Sequence, residues 1–428
     1  MSLGGFQSGS NRRQALPTVI FIVAFGTASL QLLFAQTAAE PSATTLPAGS
    51  VLFLRLETPV STKASHLRDA VRAQVVREVP DRPGGKQVLI PCRAVVRGAI
   101  EKIIPSSSPT DRARLRLRFN HLELPGQPPV VLEGHVVDVE NSRETVLADG
   151  TIQGVLASEL PLTLLENALD KLKKTQPDLG DRAQKTSEQN LGKSDTSIEY
   201  PAGTDLTLVL DKPLALAQSF PSAVSEELSP QVSAPVARLL EEAPQRASSK
   251  DGKPGDPLNL VVIGSAEEIR RAFQEAGWAE AEKLTGKSLF ETVRAVIANK
   301  GYGTAPVSQL YLFGRPEDLA FQKMLNTFAK RHHLRLWRSP ATAAAREIWL
   351  GAATHDIGWD IRAEVVSHAI EPEIDKEREK VGADLAATGR VATLRLVSRP
   401  NPLSEGLTAT GGAWKTDGRL LVMELKSP

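Results

Sequence analysis

The six residues Arg114–Phe119 alternate arginine with leucine or phenylalanine, and a period of two places Leu115, Leu117 and Phe119 on one side and three arginines on the other. Only a strand with one buried face accommodates that order. Two other segments carry the same demand and open on nearly the same residues: Pro-Ala-Gly-Ser at 47–50 and Pro-Ala-Gly-Thr at 201–204 each precede a run in which leucines alternate, Leu52, Leu54 and Leu56 in the first, Leu206, Leu208 and Leu210 in the second. Further apolar stretches lie at 70–76, 88–100 and 130–139. Short strands at regular intervals, broken by Gly and Pro, predict an N-terminal all-β barrel or sandwich over residues 40–215. The second copy is followed by no new set of strands, so it is expected as a last strand lying near the first. Leu160, Leu164, Leu165, Ala168, Leu169 and Leu172 fall at helical spacing and predict one helix inserted at 158–174, packed on its own barrel or offered to a partner, before a polar loop at 175–197.

At 428 residues the chain has room for two domains and is expected to be multidomain. Residues 216–256 hold five prolines among Ser, Glu and Gln, a composition expected to stay extended as a linker, with a helical turn or two at 235–242. From 257 to 428 the pattern turns α+β. Leu260–Ile263 reads as a strand ending in Gly264-Ser265, and residues 266–277 as an amphipathic helix capped by Ser265. Helices at 288–299 and 375–387 and strands at 309–313, 332–337, 348–353, 391–398 and 419–425 complete the domain. No GxGxxG and no Lys-Ser/Thr accompany Gly264-Ser265, which favours a cap over a phosphate site.

After Arg12 and Arg13, the twenty residues Leu16–Ala35 carry no charge. A basic flank before an apolar run marks residues 1–39 as a signal peptide cleaved near Ala35 or Ala39, or as a membrane anchor if kept, and either places the rest in the periplasm or on the periplasmic face of the inner membrane. Fifty-one basic residues against fifty acidic ones give no global field for nucleic acid. Partners are expected to be an envelope component or another protein. The single cysteine, Cys92, excludes an intrachain disulfide and a cysteine-based zinc site.

Four of the seven histidines, His332, His333, His355 and His368, fall within 37 residues. Such a cluster can hold a divalent metal, line a cleft without metal, or be structural. On one strand His332 and His333 point to opposite faces, so one of them at most joins His355. Asp375 and Glu377 are the candidate general bases. Between Asp318 and Glu347 every charged residue is basic, so Arg331 and Arg335, with Trp337 as an aromatic wall and Asp356 nearby, are candidates for binding a phosphate, a lipid headgroup or an acidic polysaccharide; the alternative is arginines paired within the fold.

Two resemblances bear on these readings. Ile90–Gly98 and Leu115–Leu122, with the Pro-Ala-Gly-Thr strand, resemble the β-barrel domain of TrbI-type conjugation proteins over about 46–215, which implies a fold and an envelope setting. Asn259–Ser265, Ala276-Gly277-Trp278, Leu312–Arg315, Asp318–Lys323, Arg331–Trp337, Ala352–Gly358, His368–Ile370 and Ile374–Arg378 resemble the LssY-type C-terminal domain over about 257–428. That domain is often fused to membrane parts absent from this chain, so the resemblance carries no phosphatase activity here. The expected role is a binding or structural module of the cell envelope; the alternative is a metal-dependent hydrolase acting on a phosphorylated or lipid-linked substrate.

Overall fold

Six strands, β1 (Val51–Leu56), β2 (Ala70–Val75), β3 (Val95–Ile104), β4 (Arg114–Glu123), β5 (Val130–Val139) and β6 (Asp205–Leu210), close into an antiparallel barrel in the order β4-β3-β2-β1-β6-β5, with β5 returning to β4. The two strands with matching openings are neighbours, Leu206 opposite Leu54 and Leu208 opposite Leu52. Their leucines fill the interior together with Leu115, Leu117 and Phe119. Closure leaves these six strands without an open edge. Gly98 is required where β3 and β4 change register, because a Cβ there would stand 2.0 Å from the Arg118 carbonyl oxygen.

The computed structural model describes residues 44–82, 85–160, 195–281, 309–327, 329–362, 365–409 and 411–427. The N-terminal apolar run and the helix expected at 288–299 lie outside the described residues. So does the helix expected at 158–174, apart from a 3₁₀ turn at Ala157–Glu159.

The stretch expected as a loose linker is built. Helix α1 (Pro230–Glu242) buries Val232, Val236, Leu239 and Leu240, a stripe at i, i+4, i+7 and i+8 that the proline count obscured. Pro230 stands in the first turn, where its missing N–H costs nothing. The far end is capped from a distance: Arg399 donates to the carbonyls of Leu240 and Ala243 at 2.9 and 2.6 Å.

The C-terminal part is built on one mixed sheet. Its order is Ala279–Glu280, β8 (Leu319–Lys323), β9 (Lys330–Ala343), β10 (Arg346–Arg362), β7 (Leu260–Ile263), β13 (Arg419–Leu425) and β12 (Val391–Ser398), with β11 (Val365–Ile370) also paired to β10. Among the described pairings of this sheet, only β7–β13 is parallel. Helices α2 (Ala266–Glu275) and α3 (Asp375–Ala387) cover one face and α1 the other. Leu260 and Val262 therefore meet Phe273 and Leu385, while Val261 and Ile263 meet Val236 and Leu240. A strand covered on both sides has to be apolar at every position, as Leu260–Ile263 is. Ser265 caps α2, accepting from the Glu268 N–H while Glu268 accepts from the Ser265 N–H.

Barrel and sheet belong to one compact unit, residues 41–428. Among the described residues, no helix is long and apolar enough to cross a membrane.

Candidate functional site

Strands β9 and β10 pair with His332 opposite His355, His333 opposite Thr354 and Arg331 opposite Asp356. Directly opposed residues share a face, so this register sorts the candidates into two groups. His332 and His355 face α3 and the barrel. Arg331, His333, Arg335, Thr354 and Asp356 face the other way.

On the first face the rings of His332 and His355 stack, centroids 4.1 Å apart and planes 23° from parallel. Glu377, on the first turn of α3, accepts from His332 Nδ1 at 2.7 Å, and Glu140 Oε1, just after β5, lies 3.2 Å from Nε2. Asn141 is the next residue. Its φ of 56° is a conformation asparagine tolerates better than most residues, and the turn brings its amide to His355. The amide nitrogen donates to the Lys323 carbonyl at 3.2 Å, so the oxygen is left to accept from His355 Nε2 at 2.8 Å. His355 thereby carries its proton on Nε2 and keeps Nδ1 as the lone-pair nitrogen.

The two rings are driven apart in proton affinity. Burial disfavours charge on His332, but Glu377 and Glu140 outweigh it and push the imidazole up to about 10. His355 falls to about 3, because burial and the charge on His332 both oppose its protonation. Burial raises Glu140, yet Lys380 and His332 overcome it and hold the carboxyl down to about 2.

Beside the stack lies a charged clasp joining barrel to sheet. Arg55 and Asp205, cross-strand partners on β1 and β6, are 2.7 Å apart, and Arg55 reaches Asp384 of α3 at 2.9 Å. Lys380 meets Asp384 at 2.7 Å, Asp205 at 2.9 Å and Glu140 at 3.2 Å; Lys323 meets Asp205 at 2.5 Å. Trp278 donates its indole N–H to Asp384 at 2.9 Å. Burial works against both aspartates, but Lys323, Lys380 and Arg55 hold them well below the usual carboxylate range. A cavity of about 250 Å³ opens along this seam, walled by Phe53, Leu54 and Thr207 of the barrel and by His332, Glu377 and Ala383 of the sheet side.

The remaining candidates stand elsewhere. His333 is buried on the opposite face, its Nε2 3.1 Å from Asp356 Oδ1, and so cannot share a centre with His332. Asp356 also holds Arg331 at 2.9 Å, and Arg335 pairs with Asp256 at 3.0 Å, so these two arginines are folded inward instead of presenting an anion surface. Trp337, expected as an aromatic wall, is fully buried in the core under α1. Asp375 is no base in the cavity: its carboxylate accepts from Thr416 and from the Asp417 N–H, both at 2.7 Å, and from the buried Arg378 at 3.0 Å. His368 sits on β11 with its backbone opposite Trp359; its side chain lies outside the described part.

Sequence reasoning missed Arg55, Glu140, Asn141, Asp205, Lys380 and Asp384, and it read Lys323 only as part of a basic stretch. One signal was available: Glu377, Lys380 and Asp384 stand at i, i+3 and i+7, a charged stripe down one side of α3. Arg55 gave another, as a charge set among the leucines of β1.

Residues 240–420 match the family model described as LssY C-terminus, so the C-terminal region is an LssY-type domain. The match begins inside α1, consistent with that helix being part of the sheet's packing. No curated protein matches the chain.

Proposed function

We propose that this LssY-type domain and the barrel work together as a noncatalytic binding module of the cell envelope, taking a ligand into the cavity along their seam. The observation that carries the reading is the cavity itself, walled by both parts and combining an apolar side, Phe53, Leu54 and Ala383, with the converging polar groups of His332, Glu377 and Lys380. That mixture is the make-up of small-ligand pockets. The clasp around it restricts relative movement of its walls, which lowers the ordering cost of binding. The basic flank and apolar run at 12–35 support an envelope location.

Native mass spectrometry of the full chain recovered from an envelope fraction should reveal a bound adduct that Ala383→Trp, which fills the cavity, does not retain. Equal spectra for the two proteins, without adduct, would refute the reading.

A second reading, metal-dependent hydrolysis of a phosphorylated or lipid-linked substrate, is favoured by one observation. His332, His355 and Glu377 bring one ligand atom each within 4.8 Å of one another. Turnover of p-nitrophenyl phosphate with added Mn²⁺ or Zn²⁺, abolished in His332→Ala, would establish it over the first.

A further inference from the structure

The charges of the seam are paired, but two of its buried polar atoms stand without a hydrogen bond. His332 Nε2 and Glu377 Oε1 are buried and have no hydrogen-bond partner among the described residues, although both side chains are only 2% exposed. Nε2 lies near Glu140 Oε1, but out of line for a hydrogen bond. Leaving such atoms unsatisfied in a dry interior is costly, and a divalent cation that displaces the His332 Nε2 proton to solvent would be held by the freed nitrogen and by the carboxylate. Of the carboxylates that line the cavity, those of Glu377 and Glu140 stand 2.7 and 3.2 Å from the His332 ring nitrogens.

We infer that His332, His355 and Glu377 bind a divalent transition metal, and that Asn141, reaching across from the barrel, is the positioning residue that turns His355 toward it. This rests on reading the seam cavity as the binding site. Two imidazoles and a carboxylate are the donor set that suits zinc and its first-row neighbours, and unlike Ca²⁺ or Mg²⁺ these ions take nitrogen ligands readily. The contact from His355 Nε2 to Asn141 is the outer bond by which a protein sets the tautomer of a metal-binding histidine. The three ligands come from the LssY-type domain, and Asn141, which holds His355 in place, comes from the barrel segment.

The test uses the full chain, made without a polyhistidine tag, stripped with chelator, titrated with zinc sulfate and analysed for metal after gel filtration. One zinc per chain is expected, together with a rise in melting temperature. His355→Ala and Glu377→Gln should abolish stoichiometric zinc, and Asn141→Ala should weaken it by roughly 10–100-fold while circular dichroism stays unchanged. Cobalt(II) in place of zinc should show visible bands that shift in Asn141→Ala, a change that loss of packing alone does not produce. His333→Ala, on the opposite face, serves as the control and should bind as the parent does. Substoichiometric zinc in the parent, or equal binding by parent and His355→Ala, overturns the inference. Substoichiometric zinc in a protein that still retains an organic adduct would leave the pocket reading standing while the metal falls. Zinc bound without any adduct would do the reverse.

Discussion

Asp205 concentrates the problem of putting charge inside a protein. It is nearly buried and touches Arg55, Lys323 and Lys380, so its own desolvation is offset only because three cations, each expensive to bury alone, share it. Removing the charge leaves those cations underpaired. Asp205→Asn should therefore cost about 3–5 kcal/mol at pH 7, measured by urea unfolding. The sign of the pH dependence follows from the depressed proton affinities of Asp205 and Asp384. Their contribution is fully present above the unfolded carboxylate pKa of about 3.9, and it is lost as pH falls through that value toward their lower folded ones. The gap between Asp205→Asn and the parent should accordingly narrow below about pH 4; a gap that widens there would contradict the assignment. Nothing local marks Asp205 for this role, since in sequence it is only the residue after a Pro-Ala-Gly-Thr turn.

Among the elements, legibility followed the strength of the local period. The helix expected at 375–387 and the strands expected at 391–398 and 419–425 appear with those boundaries, and Ser265 caps α2 as its position suggested. The β9–β10 hairpin turns on Ala344 and Ala345, both at positive φ, where Asn-Gly would have announced the turn and alanine does not. Of α1 only a helical turn or two at 235–242 was expected, as composition weighs prolines without regard to where in a helix they stand. Gly98 shows an element depending on one missing atom. Gly98→Ala pushes a methyl against the backbone of β4, where no side chain can rotate aside, and should cost about 1–3 kcal/mol or more in chemical denaturation. A neutral result would mean that β3 and β4 do not approach as described.

Across the whole molecule the clasp makes barrel and sheet depend on each other. All five tryptophans lie between residues 278 and 414, so their fluorescence reports the sheet side alone, whereas far-ultraviolet circular dichroism reports both parts. In the parent the two probes should give one coincident urea transition. In Lys380→Met, which removes the cation shared by Asp205, Asp384 and Glu140, the transitions should separate, the barrel and sheet unfolding at different midpoints. Coincident curves in the variant would show that the seam contributes little to cooperativity.

The sequence by itself determined most of the barrel strands, strands β7, β12 and β13 and helices α2 and α3, the all-β character of the first part, the adjacency of the two Pro-Ala-Gly strands, and the rule that His332 and His333 cannot serve one site. Each follows from periodicity, which fixes where a side chain points relative to its own backbone. Strands β8 and β11 were not expected, and β9 and β10 run well beyond the 332–337 and 348–353 expected for them. Only the tertiary structure decided which histidine is chosen and what meets it. His355 and Asn141 stand 214 residues apart and Arg55 and Asp384 stand 329 apart, in segments whose meeting depends on how one folded surface lies against another. A local pattern sets the direction of a side chain along its own strand or helix, and the docking of two such surfaces is set by the fit of both.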